Sequence, residues 1–165
     1  ILLQKEVEIG PDDTLGSLYF NHLFPMGVAA MTEAVDLVRA ETAPRIDQDP
    51  SGGSYEGWCT PDDVRIDWRQ DVDQIYNMIR GANPQPGAWT TVAGKRLTVL
   101  DSSKSDNTDS DPGTVIAADA SGITVAANGG SICISRFKPQ GGSKLSAAEM
   151  MEQSPLNAGD VLGVD

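Results

Sequence analysis

Apolar and polar residues alternate first with a period of two and then with a period near 3.6. In residues 2–9, Leu3, Val7 and Ile9 oppose Gln4, Glu6 and Glu8. Alternation of this kind puts one set of side chains on each face of a strand, so residues 2–9 predict a strand ended by Gly10-Pro11. Leu15, Leu18, Tyr19 and Leu23 then fall on one face of a short helix, with Asp12-Asp-Thr14 placed to cap it. Pro25 suits the first turn of a second helix, whose apolar stripe is Val28, Met31, Val35 and Val38. A strand and two helices do not bury a core by themselves, and an open strand edge seeks a neighbour. Residues 1–39 therefore predict pairing with a sheet that these residues do not contain.

From 40 to 62 the periodicity stops. Ala43-Pro44, Gln48-Asp-Pro50, Ser51-Gly-Gly53 and Thr60-Pro61 are turn and loop segments, and the stretch reads as a linker between two bodies. Tyr55 and Trp58 are expected to pin it to one of them. A stripe of Trp68, Val72, Ile75, Tyr76 and Ile79 then predicts a helix over about 68–80. Asp67 is its expected N-cap, with Gln70 reaching back to the Asp67 N–H. Gly81 is placed to close the helix, and Pro84 and Pro86 forbid its continuation. The run Pro84-Gln-Pro-Gly-Ala-Trp89 reads as a rigid turn delivering Trp89 to a core.

Beyond it, β-like runs lie at about 89–92, 96–100, 114–118, 123–127 and 132–137, with a hairpin expected at Ala93-Gly94. Residues 101–113 offer no apolar side chain to bury and read as an exposed, mobile loop. Ser146 is placed to cap a last helix through about Gln153, and Asn157-Ala-Gly-Asp160 to form a final turn. The predicted class is α+β. Residues 1–39 are one element group, 40–62 the linker, and 63–165 a small open β-barrel of OB type with a helix at its start.

Charge narrows the function. Residues 1–60 hold 3 basic and 10 acidic side chains, and residues 61–165 hold 9 and 14, for a formal net charge of −12. A polyanion is repelled by most of such a surface, which argues against a nucleic-acid partner. The runs from 114 to 135 contain no Lys, Arg or aromatic residue, which argues against single-strand binding there. Cys59 and Cys133 stand alone, so no metal is expected; two thiols without a signal peptide fit a reducing cytoplasm. The opening residues are neither a signal peptide nor a membrane span. With no initiator Met, the chain is expected to be a fragment or processed product.

Candidate chemistry is sparse. His22 is the only imidazole, on a helix with no acidic or hydroxyl partner fixed by spacing; a surface or packing role competes with general-base chemistry. Asp12/Asp13 and Asp62/Asp63 precede helices, where cap and turn roles explain them better than acid–base pairs. Asp106, Asp109 and Asp111 alternate as a calcium loop would, without its Gly and distal Glu. Gly129-Gly130 and Gly141-Gly142 lack the context of phosphate loops. Arg80 is placed as a helix C-terminal charge or as a partner for an acidic group elsewhere.

Several segments together carry a resemblance. Ile66-Asp-Trp68, Asn77-Met-Ile-Arg-Gly81 and Pro84-Gln-Pro-Gly-Ala-Trp89-Thr resemble the start of the C-terminal domain of the 10-formyltetrahydrofolate-using formyltransferases. That group includes methionyl-tRNA formyltransferase, the sugar-nucleotide formyltransferases and the hydrolase domain of 10-formyltetrahydrofolate dehydrogenase. Ile1-Leu-Leu-Gln-Lys5, Asp12-Asp-Thr14, Leu18-Tyr19, Leu23-Phe-Pro25, Gly27, Glu33-Ala-Val35 and Ala43-Pro-Arg-Ile46 are most similar to the last of these. The resemblance implies that residues 1–39 are the last strand and helix of a Rossmann-like domain and that 63–165 are the OB-like C-terminal domain.

It also implies that the formyl donor, 10-formyltetrahydrofolate, is bound mainly by an upstream domain. The catalytic Asn-x-His and Asp-Thr-Gly-Pro segments of the family do not occur here. No residue takes a catalytic, cofactor-binding or metal role, and Ile1 and Leu2 would lie nearest the cleft as backbone support. The expected function is part of an enzyme that transfers or hydrolyses the formyl group, with this chain inactive alone and paired with a complementing chain or as a homo-oligomer. The rivals are a non-catalytic OB-like binding module and a purely structural domain.

Overall fold

The computed structural model describes residues 1–106 and 109–164. They form two compact units, Ile1–Trp58 and Cys59–Asp165.

In the first unit, residues 1–10 carry no regular secondary structure. The strand expected at 2–9 is absent because a strand exists only against a hydrogen-bonded neighbour, and no described residue of this unit forms one. The Ile1 ammonium donates instead to the Ile46 carbonyl at 2.7 Å. Helix α1 (Leu15–Leu18) begins at Thr14, whose hydroxyl accepts from the Ser17 N–H. A π turn, Tyr19–Leu23, joins it directly to α2 (Phe24–Arg39). The two expected helices are thus one run. Pro25 has no N–H to give to a carbonyl one turn back, and the displaced π ladder just before it accommodates that loss. The stripe of Val28, Met31, Val35 and Val38 lies on α2 as expected, but each is 46–68% exposed. The expected linker carries only a 3-10 turn, Pro50–Gly52. Tyr55 and Trp58 do not pin it; they are 93% and 95% exposed.

The second unit opens with a 3-10 turn, Asp62–Val64, and then helix α3 (Val72–Ala82). The helix starts four residues later than the stripe predicts. The Asp67 carboxylate is taken by the Arg69 N–H and guanidinium at 2.8–3.1 Å, and the Gln70 N–H closes a turn on the Asp67 carbonyl. Asp71 is the true cap, accepting from the Asp73 N–H. Gly81 remains inside the helix, and the left-handed residue is Gly87, at φ +84°. Trp68 lies outside the helix yet is buried with Ile75, Tyr76 and Ile79.

Among the described residues eight strands follow: β1 (Trp89–Val92), β2 (Lys95–Val99), β3 (Ser102–Asp106), β4 (Val115–Ala118), β5 (Ile123–Ala127), β6 (Gly130–Ile134), β7 (Arg136–Pro139) and β8 (Leu145–Ser146). They form two antiparallel sheets, ordered β1-β2-β7-β8 and β3-β6-β5-β4. The hairpin at Ala93-Gly94 is as expected: both residues have positive φ, and Val92 faces Lys95. The single run expected at 132–137 is broken at Ser135. There the chain leaves the second sheet for the first, just as it leaves the first for the second at Leu100-Asp101. The Ser135 N–H donates to the Asp101 carbonyl and the Leu100 N–H to the Arg136 carbonyl, so the two crossings hold each other.

Part of the expected loop at 101–113 is strand β3, paired over five residues with β6. Backbone pairing needs no apolar side chain. Ser103, Lys104 and Ser105 make an exposed polar edge of the kind that blunts edge-to-edge association.

Ile75, Ile79, Val99, Val115, Ile123, Val125, Ile132, Ile134 and Phe137 fill the core between helix and sheets. Helix α4 (Ala147–Gln153) starts at Ser146, as the sequence predicts, and the Glu149 carboxylate reaches back to the Ser146 N–H. The expected turn closes where the Asp160 N–H meets the Asn157 carbonyl. The last residues then cover the β4 edge through Val115 N–H to Asp160 O and Gly159 N–H to Val115 O. The architecture is mixed helix and antiparallel sheet.

Candidate functional site

The most distinctive chemistry lies on the outer face of the first sheet. Register places Trp89 opposite Thr98 and Thr98 opposite Lys138, while Arg65 bridges Trp89 from the other side. Cross-strand partners share a face, so Arg65, Trp89, Thr98 and Lys138 form one row across four chain segments. Arg96, two residues before Thr98 on β2, shares that face. The inner face is Thr90, Leu97, Val99 and Phe137, all buried.

The Trp89 ring carries two guanidinium groups, Arg96 at 4.6 Å and Arg65 at 5.4 Å from its centroid. Its indole N–H donates to the Pro61 carbonyl at 2.6 Å, which fixes the ring plane. Stacking orients a guanidinium while leaving its in-plane N–H donors available. Trp89 is thus delivered to the margin of the core, half-buried, and not into it. The four strands of this sheet contain no Asp or Glu.

The residues singled out from sequence lie apart from this face. His22 is exposed in the π turn. Asp13 accepts from the Gly10 N–H and the Ser17 hydroxyl, a turn role. Asp63 accepts from both the N–H and hydroxyl of Thr60, which hold its carboxyl below the ordinary range. Bonds to Arg69 do the same for Asp67, those to Ser121 for Asp119, and the Ser146 N–H and hydroxyl for Glu149. These groups are kept ionised, the opposite of what a general acid needs.

Arg80 donates to Asn77 Oδ1 at 2.8 Å on its own helix. Of the calcium-loop candidates, Asp109 and Asp111 are exposed, and the side chain of Asp106 lies outside the described residues. Among the described residues no group of three or more His, Cys, Asp or Glu is placed to hold a metal ion. Nor is any described helix long and apolar enough to cross a membrane. Cys59 is exposed and Cys133 half-buried on β6, both as free thiols.

The Arg65–Trp89–Arg96 arrangement escaped the sequence reading, which looked for basic and aromatic residues only at 114–135. The signal was available. A two-residue turn at Ala93-Gly94 sets the register, and that register puts Trp89 and Arg96 on one face.

A second unusual surface belongs to the first unit. Tyr19, Phe20, Leu23, Phe24, Val28, Met31, Val35 and Val38 are all 42–69% exposed along one helical run. Tyr19 and Phe20 meet edge to face at 5.1 Å. An exposed apolar surface of this extent is characteristic of a contact surface.

Comparison with known proteins adds the family context. Residues 59–155 match the family described as "Formyl transferase, C-terminal domain". Cytosolic 10-formyltetrahydrofolate dehydrogenase of Xenopus tropicalis is 45% identical over 103 residues, 62% of this chain and 11% of that protein. Methionyl-tRNA formyltransferase of Desulforamulus reducens is 32% identical over 167 residues, 100% of this chain and 52% of that protein. The chain thus spans about half the length of the latter relative and about a tenth of the former. Among solved structures, HypX from Aquifex aeolicus in complex with tetrahydrofolic acid superposes with a TM-score of 0.69 at 18% identity. That match covers 96% of this chain and 30% of HypX. Another HypX variant gives a TM-score of 0.72 over 90% of this chain. At such identity the likeness speaks for the fold.

Proposed function

The chain belongs to the formyl transferase C-terminal domain family, and from that premise we propose that it is part of an enzyme acting on the formyl group of 10-formyltetrahydrofolate. The observation that carries this is the ordered similarity to two kinds of formyl-handling enzyme. One matches at 45% identity over 103 residues and the other along the whole chain. The tetrahydrofolic acid bound to the HypX neighbour supports a folate-type ligand. On this reading residues 1–39 are the closing strand and helix of a Rossmann-like catalytic domain, 40–62 the linker, and 63–165 an OB-like domain. The two sheets that exchange strands at Leu100-Asp101 and Ser135 support an open barrel of that kind.

The exposed run from Tyr19 to Val38 is then the surface that meets the rest of the catalytic domain, and residues 2–9 become a strand once a neighbouring edge is supplied. The chemistry of formyl transfer needs a polarised carbonyl and a proton acceptor. His22 and the hydrogen-bonded carboxylates do not supply these together, so the reacting groups belong upstream of Ile1. The higher identity to the dehydrogenase favours hydrolysis to formate over transfer to tRNA, as does the acidic surface.

The test is complementation. The purified chain alone is expected to turn over no 10-formyltetrahydrofolate. Joined to the catalytic half of the dehydrogenase relative, it should restore formyl release. Turnover by the chain alone would refute the division of labour, and a soluble, folded fusion with no activity on folate would refute the function.

A further inference from the structure

The outer face of the first sheet is a concentration of positive charge on a chain whose formal net charge is −12. Arg96 and Lys138 lie on it, and no carboxylate among the described residues forms an ion pair with either. Several other basic side chains pair with acids: Arg69 with Asp67, Lys104 with Asp73 and Arg136 with Asp101. What distinguishes Arg96 is the half-buried tryptophan ring that orients it, with Lys138 on the same face. Stacking on Trp89 holds the Arg96 guanidinium where its planar fork can meet an oxyanion, and a preoriented fork loses less freedom on binding.

We propose that this face, centred on Arg96, Trp89, Thr98 and Lys138, binds a compact, multiply charged oxyanion carried by a small molecule, a phosphate ester or an oligocarboxylate. Its size sets the ligand class. Trp89 to Lys138 spans three strands, roughly 10 Å at the ordinary spacing of strands. That accommodates about two anionic groups. A longer polyanion would run onto the surrounding acidic surface and be repelled. The site is a property of the second unit and does not depend on the proposed formyl chemistry.

The experiment is a titration of the isotope-labelled chain, at low salt, with inorganic pyrophosphate, with triglutamate and with a single-stranded oligouridylate. Expected is saturable binding of pyrophosphate or triglutamate, with shifts at the Trp89 indole N–H, the Arg96 Nε–H and the Thr98 amide. The better of the two anions identifies phosphate or carboxylate as the group recognised. R96Q should weaken binding about tenfold, the worth of one charge-assisted hydrogen bond. K138Q should weaken it by a smaller factor, and K104Q, on β3 of the second sheet, should not change it. If R96Q loses its dispersed spectrum, K138Q decides by itself. No saturation by either anion, shifts confined elsewhere, or unchanged affinity in K138Q and R96Q would overturn the proposal. Tighter binding of the oligouridylate than of both small anions would overturn it too, marking a polynucleotide surface instead.

Discussion

The indole N–H of Trp68 donates to the Thr90 hydroxyl at 3.0 Å, with both side chains buried. This bond ties the segment ahead of α3 to the first strand, across 22 residues of sequence. Together with Ile66 N–H to Trp89 O at 2.8 Å, it sets where Arg65 meets the ring of Trp89.

Trp68→Phe should therefore destabilise the second unit by about 2 kcal/mol, because it leaves the Thr90 hydroxyl buried without a donor. Adding Thr90→Val removes the orphaned group and should recover part of the loss. Urea denaturation of the two single variants and the double variant measures the coupling. Strictly additive losses would mean that the bond contributes nothing.

Gly130→Ala should cost about 1–3 kcal/mol, the usual range for overpacking. A methyl there would meet the Ser105 carbonyl at 2.7 Å and Val72 at 3.1 Å, forcing β3 away from β6. Hydrogen exchange should show the amides of residues 102–105 losing protection before those of β5. Unchanged protection would show that the strand pair yields without cost.

Acid should weaken the fold in a defined direction. The carboxyls of Asp63, Asp119 and Glu149 are held below their ordinary values by hydrogen bonds from Thr60, Ser121 and Ser146. A depressed folded-state value stabilises above the unfolded-state value, about pH 4 for these groups, and that stabilisation disappears as pH falls through the folded-state values. Denaturation midpoints should hold steady from neutral pH down to about 5 and decline below about 4. Because hydrogen bonds are the main cause, added salt should leave most of the decline in place. A midpoint independent of pH down to about 3 would contradict this.

The three tryptophans should separate by solvent access. Trp58 is 95% exposed and Trp68 4% exposed, with Trp89 between them. Trp58→Phe should remove most of the fluorescence that iodide quenches in the isolated chain. Quenching that persists unaltered in the variant would mean that Trp58 is covered.

Local signals located α2, α3 and α4, the hairpin at Ala93-Gly94, and the buried stripe residues Ile75 and Ile79. Each of these is decided by neighbours within a few residues: a stripe, a cap or a turn. Helix α3 shows the limit. The stripe included Trp68, but whether Asp67 or Asp71 caps depends on where each carboxylate finds its donors, and Arg69 claims Asp67. Strand β3 was missed for the same kind of reason. Ser102-Ser-Lys-Ser has no apolar alternation, and its conformation comes from hydrogen bonds to β6, nearly thirty residues away.

The amino-acid order by itself determined the mixed α and β class and the resemblance to formyl-handling enzymes, because composition, period and motif are local properties of the chain. Tertiary structure alone decided that the run at 132–137 divides between two sheets, that the Tyr19–Val38 face stays open to solvent, and that Arg65 and Arg96 converge on Trp89. Those outcomes rest on register and on which surfaces find partners. Such long-range hydrogen bonding and burial cannot be read from any one stretch of residues.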